Sequence, residues 1–297
     1  MLNHSVTRAL PCEEQVTEKI YILLPVHNRR ETTRRFITSL TPQTYRNFHL
    51  VLIDDGSSDG TADMVRGEIG DLTVLKGRGD WWWGGSLQQG YDWLRNRNPV
   101  PTDLVLIIND DCTFEPDFLG TAITLLSGHE HTLLQAYCYS RQDGRLVDAG
   151  VHVDFTRFRF AQAAAPEQIN CLSTRGLFLR ISDLFHTGGF YPRLLPHYLS
   201  DYEFTTRARR KGMRLLTDPS LRLWLDERTT GEQPPDTGPF HAFLKSYFSR
   251  KCAINPMRLS VFALLASPWH WKLVNVLRIW QGASVTIWRA FASRVSG

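Results

Sequence analysis

The sequence predicts an α/β chain, a mostly parallel central sheet flanked by helices, followed by a helical basic tail. Three observations carry this reading. Apolar runs of strand length alternate with stretches of helical periodicity, the signature of βαβ units. The runs end repeatedly in Asn or Asp, which gathers polar groups at the carboxyl ends of the strands, where open α/β sheets bind ligands. The charge is divided: the net +4 conceals a last stretch, Pro239 to Gly297, with eight Lys or Arg and no Asp or Glu. The preceding 238 residues carry 26 basic and 30 acidic groups. A block of one sign faces an anionic partner or a solvated surface.

The elements follow in order. KIYILLPVHN (19–28) is a first strand closed by Pro25 and Asn28, and RRETTRRFITSLTPQ has helical spacing up to Pro42. FHLVLIDDGSSDG (48–60) is a second strand, ending in carboxylates and a Gly/Ser turn, with a helix from Thr61. LTVLKG (72–77) is a third strand, a helix is expected near Ser86 to Arg95, and DLVLIIND is the fourth strand. After Asp117 come a helix to about Ser127, strand-like LLQAYCYS and RLVDAGVHVDF, and a turn-rich stretch to Asn170. TRGLFLRISDLFHTGGF reads as a strand, a short helix and a glycine turn, and DYEFTTRARRKG as a helix closed at Gly212. TTGEQPPDTGP (229–239) has the Gly and Pro content of a linker or mobile loop.

Several classes are disfavoured. The five cysteines lie far apart with no C-x-x-C pair, so neither a disulfide framework nor a thiolate zinc site is indicated, and a reducing cytosol fits. The start has no basic n-region before an apolar stretch and no run of eighteen apolar residues occurs, so neither a standard secretion signal nor a membrane span is expected. No G-x-G-x-x-G follows the first strand and no P-loop is present. The histidines show no zinc-hydrolase spacing; His197, just before the Asp201 segment, is the one considered for an acceptor contact.

LVLIINDDCTF (104–114) poses the chemical question, because a run suited to burial on both faces stops at Asn109, Asp110 and Asp111. An unpaired buried carboxylate costs on the order of several kcal/mol, so these groups are expected at the sheet's edge with a cation compensating the charge. Asn28 and the pair Asp54–Asp55 end other strands in the same way. Each is open to a plain reading as a helix cap, whereas a nucleotide would use all three: one carboxylate on base or ribose, another on Mg²⁺ or Mn²⁺ beside a diphosphate.

ILLPVHNRRE, LVLIDDGSSDGT, LVLIINDDCTFEPDFL, GGF and LSDYEFTTRARRKG, in this order, resemble the inverting family 2 glycosyltransferases, most closely a bacterial rhamnosyltransferase-like branch, over about residues 19–225. The resemblance implies a GT-A fold, a nucleotide-diphosphate sugar donor, a divalent metal and inversion at the anomeric carbon. It sets Pro25, Asn28 and Glu31 around the base and ribose, and Asp54 on the base with Asp55 beside it. Asn109 takes the first position of the D-x-D motif with Asp110 next to it, and Asp111 takes the metal-ligand position. Ser200–Asp201 aligns with the acceptor-side E-D motif, which makes Asp201 the catalytic base, with Glu203 and Arg207 continuing the pattern. The chemistry needs these types in any case: a carboxylate takes the acceptor hydroxyl's proton as the oxygen attacks, while a metal and fixed donors stabilise the departing diphosphate. Two departures stand out. The family's metal-completing histidine has no counterpart in LRLWLDE, where Trp224 and Asp226 stand, and the Q-x-x-R-W motif of processive relatives is missing.

GRGDWWWGGSLQQGYDW (77–93) carries three consecutive tryptophans, which cannot all point into one core. Trp81, Trp82, Trp83, Gly84 and Gly85 are read as a donor-sugar or acceptor wall, the glycines permitting close backbone approach. Gly176 and Glu203 are assigned to that side, and Lys76 and Arg78 to the donor phosphates. Core packing and solvation are the plain alternatives for these rings and cations.

The tail is amphipathic. On a helical wheel Trp269, Leu273, Val276, Leu277, Trp280, Ile287, Trp288 and Phe291 share an apolar face, with Asn275, Arg278, Gly282 and Arg289 opposite. This suits an interfacial helix on anionic lipid, and equally a helix docked on the body or on a second subunit as a homodimer contact. The expected organisation is an N-terminal extension (1–18), a catalytic domain (19–228) with a nucleotide-sugar half (19–117) and an acceptor half (118–228), a linker or mobile loop (229–239) and the tail (240–297). The expected partners are a nucleotide-sugar donor, a saccharide or lipid-linked glycan acceptor and an anionic membrane surface, with no nucleic acid. The expected place is the cytoplasm, peripheral on the inner face of a bacterial plasma membrane. Two rivals stay open: a catalytically silent glycan- or membrane-binding relative, and a nucleotidyltransferase using Arg29 and Arg30.

Overall fold

The computed structural model describes residues 18–229 and 235–295; the N-terminal extension, save Glu18, and residues 230–234 of the expected linker lie outside the described residues. The body of the chain runs β1 (Ile20–Val26), α1 (Arg30–Leu40), β2 (Phe48–Asp54), α2 (Thr61–Glu68), β3 (Leu72–Lys76), α3 (Trp82–Arg97), β4 (Leu104–Ile107) and β5 (Cys112–Thr113). It continues through α4 (Phe118–Leu126), β6 (Thr132–Ser140), β7 (Leu146–Asp148), β8 (Val151–Asp154), β9 (Arg159–Gln162), β10 (Leu177–Arg180), α5 (Ile181–Thr187), α6 (Ser200–Arg210) and β11 (Arg214–Leu225). Three further helices close the chain: α7 (Phe240–Tyr247), α8 (Pro256–Ala266) and α9 (Lys272–Val295).

One sheet, ordered β3-β2-β1-β4-β10-β6-β11-β5 with β7 on β6, spans both expected halves. β1, β2, β3 and β4 are parallel, as are β6 and β11, while β10 runs antiparallel between β4 and β6. Because strand side chains alternate, the central runs feed two cores. Ile22, Leu24, Leu52 and Leu106 face α1, α2 and α4, whereas Leu23, Val51, Ile53 and Ile107 face α3, α5 and α6. All four residues of β4 are buried, which accounts for its unbroken apolar run. The α1 helix buries Thr33, Phe36, Ile37 and Leu40, one stripe at helical spacing.

Three expectations are corrected. The helix expected near Ser86 begins at Trp82, inside the tryptophan run, because the Asp55 carboxylate accepts from the backbone N–H groups of Gly79 (2.8 Å), Trp81 (2.9 Å) and Trp82 (3.1 Å) and so caps its start. The piece at 145–155 is two strands, split at Gly150, whose φ of +100° takes the chain from β7 to β8 and into a separate β8–β9 hairpin. Asn275, placed on the solvent side of the tail by its polarity, is fully buried: its Nδ2 donates to the Phe155 carbonyl (2.9 Å) and to Ser267 Oγ (3.1 Å). The α6 helix ends as expected, at Gly212 with φ +90°.

The tail docks on the body. Phe262 and Ala266 of α8 pack on Val151, Val153 and Cys171, and Arg210 donates to the carbonyls of Leu265 and Ala266 (2.7 and 2.6 Å). Phe243, Tyr247, Cys252 and Ala283 form a smaller core between α7 and α9.

Candidate functional site

Two cavities open at the carboxyl ends of β1, β2 and β4. One, about 340 Å³, is walled by Pro25, Asp55, Gly79, Trp82 and Asp110 among others, and the second, about 430 Å³, by Thr174, Arg175, Tyr198 and Asp201. Trp83, Asn109, Asp111 and His197 belong to both walls, so the two spaces adjoin.

The first cavity is shaped by loops that carboxylates hold in place. Asp54 Oδ1 accepts from Ser57 N (2.8 Å), Asn28 Oδ1 accepts from Ser58 N (2.8 Å), and Asp59 accepts from the N–H groups of Arg30 and Thr61. Asp55 both lines the cavity and caps α3. Helix capping therefore describes Asp55 in part, yet the helix it caps is α3, the one after the next strand, reached through the loop from β3.

At the shared wall the chain compensates much of its own charge. Asp110 is buried; its carboxylate accepts from Arg29 Nε at 2.8 and 3.1 Å and from Thr33 Oγ1 at 2.8 Å. Burial nevertheless pushes its carboxyl up to about 6. At Asp110 the compensating cation is the chain's own Arg29 guanidinium. Asp111 differs: Arg29 Nη2 reaches its Oδ2 at only 3.5 Å, its Oδ1 is buried without a partner, and burial raises its pKa. Asn109 Oδ1 is likewise buried and unpartnered. Buried polar atoms are satisfied in most proteins, so two orphaned hard oxygens two residues apart fit a small oxygen-loving cation. Among the described residues no cluster of three His, Cys, Asp or Glu forms a metal cage. Asp226, considered in place of the missing histidine, gives Asp111 only a backbone contact (N–H to the Asp111 carbonyl, 2.8 Å), while its carboxylate binds Arg35 (2.9 Å) and Gln142 (2.7 Å). A cation here would draw its remaining ligands from substrate and water, as Mg²⁺ commonly does.

Asp201 stands in the first turn of α6, which Leu199 enters in the left-handed region at φ +69°. Leu199, not Asp201, is the N-cap residue, and the Asp201 carboxylate accepts from the adjacent Tyr202 N–H (2.9 Å) while lining the second cavity. Burial pushes its carboxyl up to about 6, against the lowering effects of that hydrogen bond and of Arg175. Arg175 lies beside it because the segment before β10 is pinned: Ser173 Oγ donates to Asp148 (2.7 Å), Ser173 N to Gln135 (2.8 Å) and Leu172 N to Thr205 of α6 (3.0 Å). His197 is held neutral, since burial, and after it the charge of Lys251, depress its pKa to about 4.

Other expected residues are placed elsewhere. Glu203 is buried in a bidentate pair with Arg207 (2.9 Å for both contacts), one helical turn away, and takes no part in either wall. Gly176 lies in the turn just before β10, at φ +72°, where a Cβ would stand 2.7 Å from Leu223, so packing and backbone both demand the glycine. Gly84 admits α3 against a protein backbone, a Cβ there standing 2.6 Å from the Leu195 carbonyl oxygen. Gly85 and Trp81 pack together in the same way, and Trp81 joins the core under α3. Of the three rings, Trp82 and Trp83 face the cavities, Trp82 with a strained φ of +58°. Glu31, Lys76 and Arg78 are exposed, and neither they nor Asn28 and Asp54 line the first cavity. Arg29, Arg175 and Lys251 were not assigned to the site from sequence. Only Arg29 carried a signal, by adjacency to Asn28.

This sheet order, with acids at the ends of its parallel strands and paired cavities above them, is that of the GT-A glycosyltransferases. The model of the family described as Glycosyl transferase family 2 matches residues 21–189, more than half the sequence, and the chain belongs to that family. It is 23% identical over 238 residues to glycosyltransferase AglE of Haloferax volcanii, covering 77% of this chain and 70% of that protein. A stretch of 51 residues is 33% identical to glycosyltransferase GlyA of Streptococcus pneumoniae; it spans 17% of this chain and 7% of that one. Among solved structures, TarS 1–349 of S. aureus in complex with UDP-GlcNAc superposes with a TM-score of 0.60 at 15% identity, covering 93% of this chain and 92% of that one. Mannosyltransferase PcManGT from Pyrobaculum calidifontis, in complex with GDP-Man and Mn²⁺, gives 0.54 at 16% identity, covering 95% and 81%. At these identities the likeness establishes the fold.

Proposed function

We propose that the chain is an inverting glycosyltransferase moving a sugar from a nucleotide-diphosphate donor to a hydroxyl of a saccharide or lipid-linked glycan in bacterial surface polysaccharide synthesis. The observation that carries this is that Asp201 lines the second cavity together with Asn109 and Asp111, which also wall the first, so that a nucleotide in one space and an acceptor in the other would meet at those residues. The acceptor oxygen attacks the anomeric carbon, its proton passes to the Asp201 carboxylate, and the bond to the β-phosphate oxygen breaks with its electron pair. Asp201 is suited to this role because a base whose pKa lies near 6 is ionised at neutral pH yet takes a proton readily. Asn109 and Asp111 would hold Mg²⁺ or Mn²⁺, which when bound supplies positive charge to the departing diphosphate. The resemblance to the rhamnosyltransferase-like branch suggests dTDP-L-rhamnose or a UDP-hexose as donor.

The testing experiment is calorimetry with UDP, dTDP, GDP and CDP, each with Mn²⁺ and with EDTA. One nucleotide is expected to bind, more tightly with the metal. Binding of none would turn the reading to the catalytically silent relative.

The tail supports work at an anionic membrane. The α9 helix turns its Asn275 and Arg278 side to the body and Leu273, Leu277 (71% exposed) and Trp288 (67%) outward, with Trp269 (84%) exposed in the turn just before it. No described helix is long and apolar enough to cross a membrane, so this face suits the plane of an interface. A symmetric contact between two copies would bring two acid-free basic tails together, whereas anionic lipid complements them. Replacing Trp269, Leu277 and Trp288 with Glu is expected to abolish sedimentation with phosphatidylglycerol vesicles and leave the oligomeric state unchanged. Equal sedimentation of the variant removes the membrane role, and a dimer lost in the variant assigns the face to a second copy.

A further inference from the structure

The C-terminal unit does more than present an apolar face. The turn between α7 and α8 returns to the catalytic body and sets Lys251 in the wall of the first cavity, with His27, Arg29 and Asp110. Two basic side chains, Arg29 and Lys251, occur in that wall, and they differ in their commitments. Arg29 is engaged with Asp110, with the Thr229 carbonyl (2.8 Å) and, at 3.5 Å, with Asp111. Lys251 makes no hydrogen bond or ion pair with a described residue and is exposed toward the opening. An ammonium aimed at a cavity and left without an acid is the inverse of a structural ion pair: its partner is expected to be a ligand.

The turn that carries Lys251 is built to hold it. Asn255 accepts from Met257 N (2.9 Å) and caps α8, and its Nδ2 donates to the Ser249 carbonyl (2.9 Å). Cys252, the next residue, is buried in the core between α7 and α9. Arg250, the preceding one, places its guanidinium 5.7 Å from the centre of the Trp82 ring. That same ring meets His197 edge-on at 5.7 Å and carries the left-handed backbone at the start of α3. A cation over an aromatic face is attractive, so Arg250 ties the tail to the tryptophan run.

We propose that Lys251 contacts the diphosphate of the donor and stabilises the departing nucleoside diphosphate, so that the C-terminal unit completes the donor site. This rests on the glycosyltransferase reading above. Lys251 takes no part in the proton transfer: the acceptor's proton goes to Asp201, and the electron pair of the breaking bond stays on the β-phosphate oxygen, where the ammonium meets the added charge. Arg250 is a positioning residue, acting through Trp82. The membrane-facing helix and the donor cation thereby belong to one unit.

The test compares nucleoside diphosphate with the matching monophosphate, using whichever of UDP, dTDP, GDP or CDP the full-length wild type binds. Lys251→Met is expected to weaken diphosphate binding by at least about tenfold, the scale of a hydrogen bond to a charged group, and monophosphate binding by far less. Lys251→Arg should restore most of the loss, and Arg250→Ala should reproduce part of it. Lys245→Met removes the same charge from the exposed side of α7 and should bind as wild type does. Diphosphate binding by Lys251→Met equal to that of wild type overturns the proposal, as does an equal loss in Lys245→Met, which would reduce the effect to general charge. No nucleotide binding by the wild type would instead remove the function on which the proposal rests.

Discussion

Asp201→Asn is expected to lower kcat by about 10³-fold or more, inside the range of roughly 10²–10⁴ that a positioned general base supplies. Nucleotide affinity should be nearly unchanged, since an interaction made only in the transition state is lost from kcat and not from ground-state binding. In the wild type, transfer should fall as pH drops through about 6, where the half-buried Asp201 carboxyl takes up a proton and can no longer accept one from the acceptor. The sign for stability is opposite. A carboxyl whose pKa is raised by folding contributes stability while protonated, and that contribution is lost as pH rises through about 6. The asparagine variant, with no charge to desolvate at Asp201, should therefore melt at the same or a higher temperature than wild type at neutral pH. A pH–rate profile, nucleotide calorimetry and thermal unfolding check the three parts. Retained turnover with weakened nucleotide binding would move the base elsewhere.

Asp111→Ala is expected to erase the metal-dependent part of nucleotide binding: affinities with Mn²⁺ and with EDTA should converge, a loss of at least about tenfold from the metal-bound value. Asp111 is the carboxylate to test because its neighbour is committed. Asp110 is held by Arg29 and Thr33, whereas Asp111 leaves Oδ1 buried and unpartnered beside the orphaned Asn109 oxygen. If Mn²⁺ still tightens binding to the variant by the wild-type factor, the cation is held by other groups and the orphaned oxygens have another use.

Much of the architecture was legible because it depends on near neighbours in the chain. The apolar runs of β1, β2 and β4 marked strands, and their Asn and Asp ends marked the edge where the cavities open. Spacing of two and of 3.6 residues is set by backbone geometry, so it survives in any context. The start of α3 was misplaced because its cap, Asp55, is contributed by a different strand end, 27 positions before Trp82. Gly84 was read as a site of close backbone approach and Gly176 as part of the sugar side, but what lies against both is the protein's own backbone and side chains.

By itself the sequence determined which elements form, which strand ends carry acids, and that the last 60 or so residues form an acid-free amphipathic unit. Tertiary structure alone decided which charges meet. It tied Arg29 to Asp110 and left Asp111 unpaired, buried Glu203 against Arg207, and brought Arg175 and Lys251 to cavities whose acids lie far away in sequence. It also decided that α9 docks by Asn275 and, against α7, by Ala283 and Ile287, which leaves Leu273, Leu277 and Trp288 outward. The physical reason is common to all of these. Periodicity fixes which side chains share a face, but the partner of that face is chosen by surfaces distant in the chain, through packing and desolvation that local sequence does not encode.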